Sequence, residues 1–479
     1  MKPVFTLRPI KIRSLAARLT AVLCLAFSLS GCSAAFFGGD LLTSPKLTDE
    51  QNEIYNALTA SAGRVDLRYP HTGEYRSAFV IKNIDDEPTE EAIVFYEASK
   101  SEADKEPDTN ATSAVGNLRV SFLDKDENGS WKAAYELPAA GTEIESVAFS
   151  KLGSDKEKIL ISYSVLGSTD KIMSVIDYEN GIATQLGSVG YSSYLLLDCI
   201  DSGKCLACFN RDSAKKDANM TVYSVNSENQ FGMAMPVVSF GTAVAEFDKI
   251  TVGNALVMGK KTPCIAIDYL SSENLYGTGM LYYSGNAFVN ADTIVRLGGE
   301  ISYTRRTNSY TPKLKARDID GDDILDIPVT VTLPGYENLT FPEQLNAVNW
   351  YRQDCDEITA VSYTFIDPQK NYMLTFPGRW IGMVTATVNT SDNAVTFWKY
   401  DGDIKDCDFA LLTIKTEIKG ETSAQSSYGE ENALRDGFKV FSDDNEKTVY
   451  YKSIMYEDLS LTDDEIAASL KVRPEGSEE

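Results

Sequence analysis

Lys315-Ala316-Arg317-Asp318-Ile319-Asp320-Gly321-Asp322-Asp323-Ile324-Leu325-Asp326-Ile327-Pro328-Val329 places carboxylates at alternate positions 318, 320 and 322, a turn-forming glycine between the last two, and another carboxylate at 326. Like charges this close repel unless something positive lies among them. A hard divalent cation that takes about six to eight oxygens suits such a cluster, and calcium is its natural form. The expected ligands are Asp318, Asp320, Asp322 and Asp326, with the backbone carbonyl of Ile324, and the expected role is to brace the loop. The alternative is a solvated acidic turn. An EF-hand is excluded by spacing: the twelfth residue from Asp318 is Val329, inside an alternating strand-like run to Leu333 rather than a helix.

The nine-residue pattern Asp-x-Asp-Gly-Asp-x-x-x-Asp between two strands resembles the calcium loop of integrin-type FG-GAP and VCBS repeats. That resemblance implies β-propeller blades and a structural calcium ion. Where the family usually has glycine at the sixth loop position this chain has Asp323, a residue that tolerates left-handed backbone better than most.

Working outward, units of similar design recur. The first is a strand at Ser77–Ile81, a loop carrying Asn83, Asp85, Glu87 and Glu91, and a strand at Ala92–Tyr96. Those four polar residues match 318, 320, 322 and 326 and form a second, weaker metal candidate. The next units centre on 146–163, 194–209 and 250–269; in the second of the series Lys151 stands at a ligand position, so no metal is expected there. Five units about 50 to 65 residues apart match four-stranded propeller blades. The expected fold class is therefore mainly β: a propeller of about five blades, or six or seven if units lie hidden in 51–76 or beyond 365, followed by a small α+β domain. A β-sandwich of stacked hairpins is the fallback.

The expected domains are a signal peptide over 1–31, a tether over 32–47, a helix plus propeller over 48–370, an α+β domain over 371–473 and a charged tail over 474–479. Thr48 with Gln51, and Thr462 with Glu465, read as capping boxes opening helices. The first 31 residues carry Lys2, Arg8, Lys11, Arg13 and Arg18, no acid, and an apolar run too short for a lasting span. They end on Leu29-Ser30-Gly31-Cys32, which resembles the bacterial lipobox. The resemblance implies cleavage before Cys32, lipidation of its sulfur, and a lipid anchor on the outer face of the bacterial cell membrane.

Loss of those five positive charges takes the formal net charge from −25 to about −30. Such acidity argues against nucleic acid and against anionic lipid surfaces as partners, leaving the acyl chain to hold the membrane. Cysteines 199, 205, 208, 264, 355 and 407 form no obvious disulfide framework; Cys205 and Cys208, three apart in a strand-like run, point to opposite faces. A Cys199–Cys205 hairpin disulfide stays open. The single histidine, His71, has no second histidine with which to share zinc, and Trp380 and Trp398 read as core rather than ligand platforms.

No catalytic residue is assigned. The leading expectation is a surface-anchored, non-enzymatic binding or scaffold module for a protein or glycan. The alternative is a calcium-dependent polysaccharide-active enzyme using paired carboxylates with Arg305, Arg306 or His71; a structural part of a larger envelope assembly is a third reading.

Overall fold

A computed structural model describes residues 47–472 except 86, 99–116, 200–202, 213–216, 242, 273–274, 291–304, 308–313, 355–356 and 420–428. Residues 1–46 and 473–479 also lie outside the described residues, so the signal peptide, Cys32 and the charged tail do too. The chain is mainly β and almost wholly antiparallel.

Consecutive strands pair with their neighbours in chain order. The first sheet contains Phe79–Lys82, Glu91–Ala98, Leu118–Lys125 and Trp131–Pro138, with Val65–Leu67 sharing the edge of the second of these. The second runs Glu143–Ser150, Lys158–Ser164, Lys171–Glu179 and Ile182–Tyr191; the third Ser193–Cys199, Gly203–Asp212, Asp217–Val225 and Phe231–Met233. The fourth is Val244–Val257, Lys260–Ser271, Leu275–Ser284 and Ala287–Asn290. A single parallel pair, Leu256 with Asp354, connects it to the fifth, which holds Ile327–Thr332, Asn346–Asp354, Glu357–Asp367 and Tyr372–Thr375. All five units expected from the sequence are therefore present as meanders.

Their apolar content follows from strand geometry, because alternate side chains face opposite sides and a strand buried on both faces reads as continuous hydrophobics. Ala92, Val94 and Tyr96 face the N-terminal helix, Asp49–Ala62, which buries Ile54 and Leu58. Ile93 and Phe95, one residue out of phase, face Val147, Ile161 and Tyr163 of the second sheet. Leu160 and Val175 meet Leu206 and Cys208; Cys205, Ala207 and Phe209 meet Ile265 and Ile267; Cys264 and Ala266 meet Leu325 and Ile327. Cys205 and Cys208 thus lie in different cores, as residues three apart on a strand must. Cys199, Cys205, Cys208, Cys264 and Cys407 are free thiols, so the Cys199–Cys205 hairpin carries no disulfide.

The stack ends differently at its two sides. The helix covers the first sheet, while the far face of the fifth packs on a sixth sheet of Val384–Asn389, Ala394–Lys399, Ala410–Ile418, Lys447–Ser453 and Lys439–Asp443. No core cluster among the described residues joins the first sheet to the fifth. Both expected capping boxes form, at Thr48–Gln51 and Thr462–Glu465. The expected boundary at 371 falls inside a sheet, since Tyr372–Thr375 pairs with Glu357–Asp367 and then with Leu470–Val472 near the C-terminus. The apolar run Tyr372-Met373-Leu374 is buried by that pairing, which ties the C-terminal unit to the fifth sheet through one continuous core.

Candidate functional site: an acidic loop closed by an arginine

The 318–326 loop joins two antiparallel segments whose only ladder contact is the bridge Arg317–Asp326, with mutual backbone hydrogen bonds of 3.2 and 2.9 Å. Gly321 and Asp323 both take positive φ, 84° and 66°, so the aspartate does adopt the left-handed geometry that glycine would supply. Leu325 anchors the loop to the fourth sheet: its N–H donates to the Asn254 carbonyl at 2.8 Å and its side chain occupies the space a Cβ on Gly253 would need. Asn254 Nδ2 donates to Asp323 Oδ2 at 2.9 Å, and Lys261 Nζ donates to the Asp322 carbonyl.

The carboxylates gather as the spacing implies. Oxygens of Asp318, Asp320 and Asp326 lie within 4.8 Å of one another, and among the described residues these form the only such group of three or more. Each oxygen is engaged within the chain. Asp318 Oδ1 accepts from the N–H groups of Gly321 and Asp322 at 2.7 and 3.2 Å, and its Oδ2 from Asp323 at 2.7 Å. Asp322 Oδ1 accepts from Ile324 N–H at 3.1 Å, and Asp326 Oδ2 from Ile319 N–H at 3.2 Å. The remaining four oxygens face Arg352. Its Nη2 lies 3.1 Å from both Asp320 oxygens and 3.2 Å from Asp326 Oδ1, Nε is 3.2 Å from that same Oδ1, and Nη1 is 2.7 Å from Asp322 Oδ2. Ile324 contributes a buried side chain to this loop.

Charge and burial act against each other here. Burial pushes the fully covered Asp326 carboxyl up to about 6, opposed by the Ile319 N–H and the Arg352 charge. Burial also raises Asp318, but its backbone donors outweigh that and hold it below the usual carboxylate range. Calcium would find the right kind of oxygen donor, yet it would need the oxygens Arg352 holds. With Arg352 already 2.7–3.2 Å from the Asp320, Asp322 and Asp326 oxygens, a divalent cation finds no free set of about six to eight, so the loop in this arrangement does not fit the ion.

The weaker candidate loop has the same frame and a different filling. Ile84 N–H donates to Glu91 Oε2 at 2.6 Å across seven residues, the counterpart of Ile319 to Asp326. Asn83 instead donates to the Glu87 carbonyl, and Asp85 Oδ1 accepts from Glu87 N–H at 3.3 Å, so these side chains build the turn and do not converge on a cation. Glu91 is buried, which pushes its carboxyl up to about 7, with Asp85 and Asp124 adding to the effect. A carboxyl whose folded value lies above its unfolded one stabilises the fold only while protonated. That benefit is complete below about 4.5 and is lost as pH rises through about 7. Glu91→Gln is therefore expected to raise stability by about 2 kcal/mol at pH 8 and by almost nothing at pH 4.5. Denaturant titrations at the two pH values in chelator would check this; an equal effect at both would contradict it.

In the second unit the ladder position matching Glu91 and Asp326 is Lys158, opposite Ser150 as they are opposite Lys82 and Arg317. Its ammonium is buried and donates to Asp177 Oδ1 at 2.6 Å, while Asn229 Nδ2 donates to Asp177 Oδ2 at 2.7 Å. Lys151, at the expected ligand position, is exposed. Beside this pair a polar groove of about 740 Å³ runs over the loops of the second and third sheets, bordered by Lys151, Asp155, Glu179, Asn226, Ser227 and Asn229.

Arg352, Lys158, Asp177 and this groove were not singled out by the sequence reading. A signal existed: Arg352 shares the strand face of Val348 and Trp350, and Lys158 heads Ile159-Leu160-Ile161, so each is a charge on an inward face. His71 is exposed, with Nδ1 4.0 Å from Glu143, and the side chains of Arg305 and Arg306 lie outside the described residues. Trp380 is buried and Trp398 half-buried, its Nε1 donating to Thr387 Oγ1 at 2.8 Å.

No protein-family model matches the chain, and no curated protein does. A solved exotype rhamnogalacturonan lyase, YesX, is similar over 68% of this chain and 61% of its own, less than two thirds of its length. The identity is 9% and the TM-score 0.25, too low to carry either fold or function to this chain.

Proposed function

We propose that this chain is an exported, lipid-anchored binding module whose five meanders are propeller-type blades arranged in an open arc, and that its ligand is a protein or glycan received by the groove over the second and third blades. One observation carries the reading: the groove sets the exposed Ser227 hydroxyl, on a turn whose Asn226 and Asn229 amides are already bonded to Gln230 and Asp177, beside charges already paired with each other, Lys156 with Glu179 at 2.5 Å and Lys158 with Asp177. Such a surface offers hydrogen bonds without a strong net field, which suits a polar ligand. The helix and the sixth sheet covering the two ends support an arc over a ring. The lipobox-like Leu29–Cys32 supports the anchor.

Ser227 is exposed at the groove and its side chain supports no core. Ser227→Trp is expected to fill the mouth of the groove, cutting capture of glycans on an array, or of envelope proteins by crosslinking, at least tenfold with the melting temperature unchanged. Binding equal to that of the wild type would place the ligand elsewhere. Reproducible turnover of a polysaccharide, abolished by a groove substitution, would favour an enzyme instead.

A further inference from the structure

We propose that the Arg352 guanidinium is itself the cation of the 318–326 loop, so that the loop closes without a metal ion. The first support is complete pairing: all eight oxygens of Asp318, Asp320, Asp322 and Asp326 meet a donor from the chain, and the four not served by backbone N–H groups meet Arg352. A planar, permanently charged fork reaches several carboxylates at once in a way that an ammonium cannot.

Register is the second support. Ile327 pairs with Tyr351 in a ladder without a bulge, so the next step along it sets Asp326 opposite Arg352. The arginine is thus delivered by the sheet itself. It does not swing in from a surface loop, and only 15% of its side chain is exposed.

A third, independent support comes from the second blade. Its loop closes at the same ladder position with Lys158, a cation supplied by the chain and neutralised by Asp177. At that position one blade therefore has a carboxylate met by a cation from the neighbouring strand, and the other a cation met by a carboxylate from the neighbouring strand.

The experiment is thermal unfolding of the purified chain from residue 33, in calcium and in chelator, for the wild type, Arg352→Met and Arg352→Lys. The wild type is expected to melt at the same temperature in both. Arg352→Met is expected to melt several degrees lower in chelator, with Arg352→Lys between the two; calcium is expected to restore much of the loss in Arg352→Met, because three carboxylates are then left without a counter-ion. A wild-type melting temperature that rises in calcium as far as that of Arg352→Met overturns the proposal, and so does an Arg352→Met variant that melts like the wild type in chelator. Should Arg352→Met fail to fold, the wild-type pair and Arg352→Lys still decide.

Discussion

Trp380→Ala is expected to lower stability by about 3–5 kcal/mol, with Trp398→Ala costing about 1 kcal/mol under the same conditions. Trp380 is fully buried where the fifth sheet meets the C-terminal unit. Its ring lies 5.3 Å from Phe376 at 79° and 5.9 Å from Phe397, and its Nε1 donates to the Leu459 carbonyl at 2.8 Å. Truncation removes a large apolar surface, leaves a cavity between elements that cannot close up independently, and takes the donor from a half-buried carbonyl. Trp398 loses only a half-buried ring and one hydrogen bond to a threonine. Denaturant unfolding followed by limited proteolysis should show the Trp380 variant cut early between the fifth and sixth sheets. Equal costs for the two tryptophans would mean that this shared core does not hold the C-terminal unit in place.

That core also shows why one expected boundary shifted. The change in pattern near 371 is real, since the strands beyond it do build a separate sheet. Yet Tyr372–Thr375 belongs to the sheet before it, which only its pairing with Glu357–Asp367 and Leu470–Val472 shows. Strand alternation is local and legible; partners about a hundred residues away are not. The five meanders, both capping boxes and the left-handed Asp323 could be read from residues in sequence order. Closure of a ring was an inference from unit length, and unit length is blind to what covers the end faces.

The same limit applies to the acidic loop. Spacing brings the carboxylates of Asp318, Asp320 and Asp326 toward one point, with Asp322 outside that group. The cation that Asp320, Asp322 and Asp326 meet is Arg352, on the second strand after the loop. A sequence rule that looks for ligands within nine residues has no place for it. Glu91, Lys158 and Asp326 occupy one ladder position in three sheets, and each meets its burial cost differently: a raised pKa, a buried ion pair and a guanidinium fork.

The second of these makes the other large prediction. Lys158 and Asp177 have side chains 2% and 10% exposed, so both charges have left water and each depends on the other. Removing one partner strands the second in a low-dielectric site, which typically costs about 3–5 kcal/mol, whereas replacing both with apolar groups of similar volume is often close to neutral. Lys158→Met alone is thus expected to cost about 3–5 kcal/mol, and Lys158→Met with Asp177→Leu within about 1 kcal/mol of the wild type, the residue of that cost arising from the Asn229 amide left without its acceptor. A double-mutant cycle in denaturant measures the coupling directly. If the double variant is as unstable as Lys158→Met, the pair is not the unit that matters. The cost would then lie in the lysine's packing stem at the head of Ile159-Leu160-Ile161, and the loop's shape would depend on side-chain volume more than on charge.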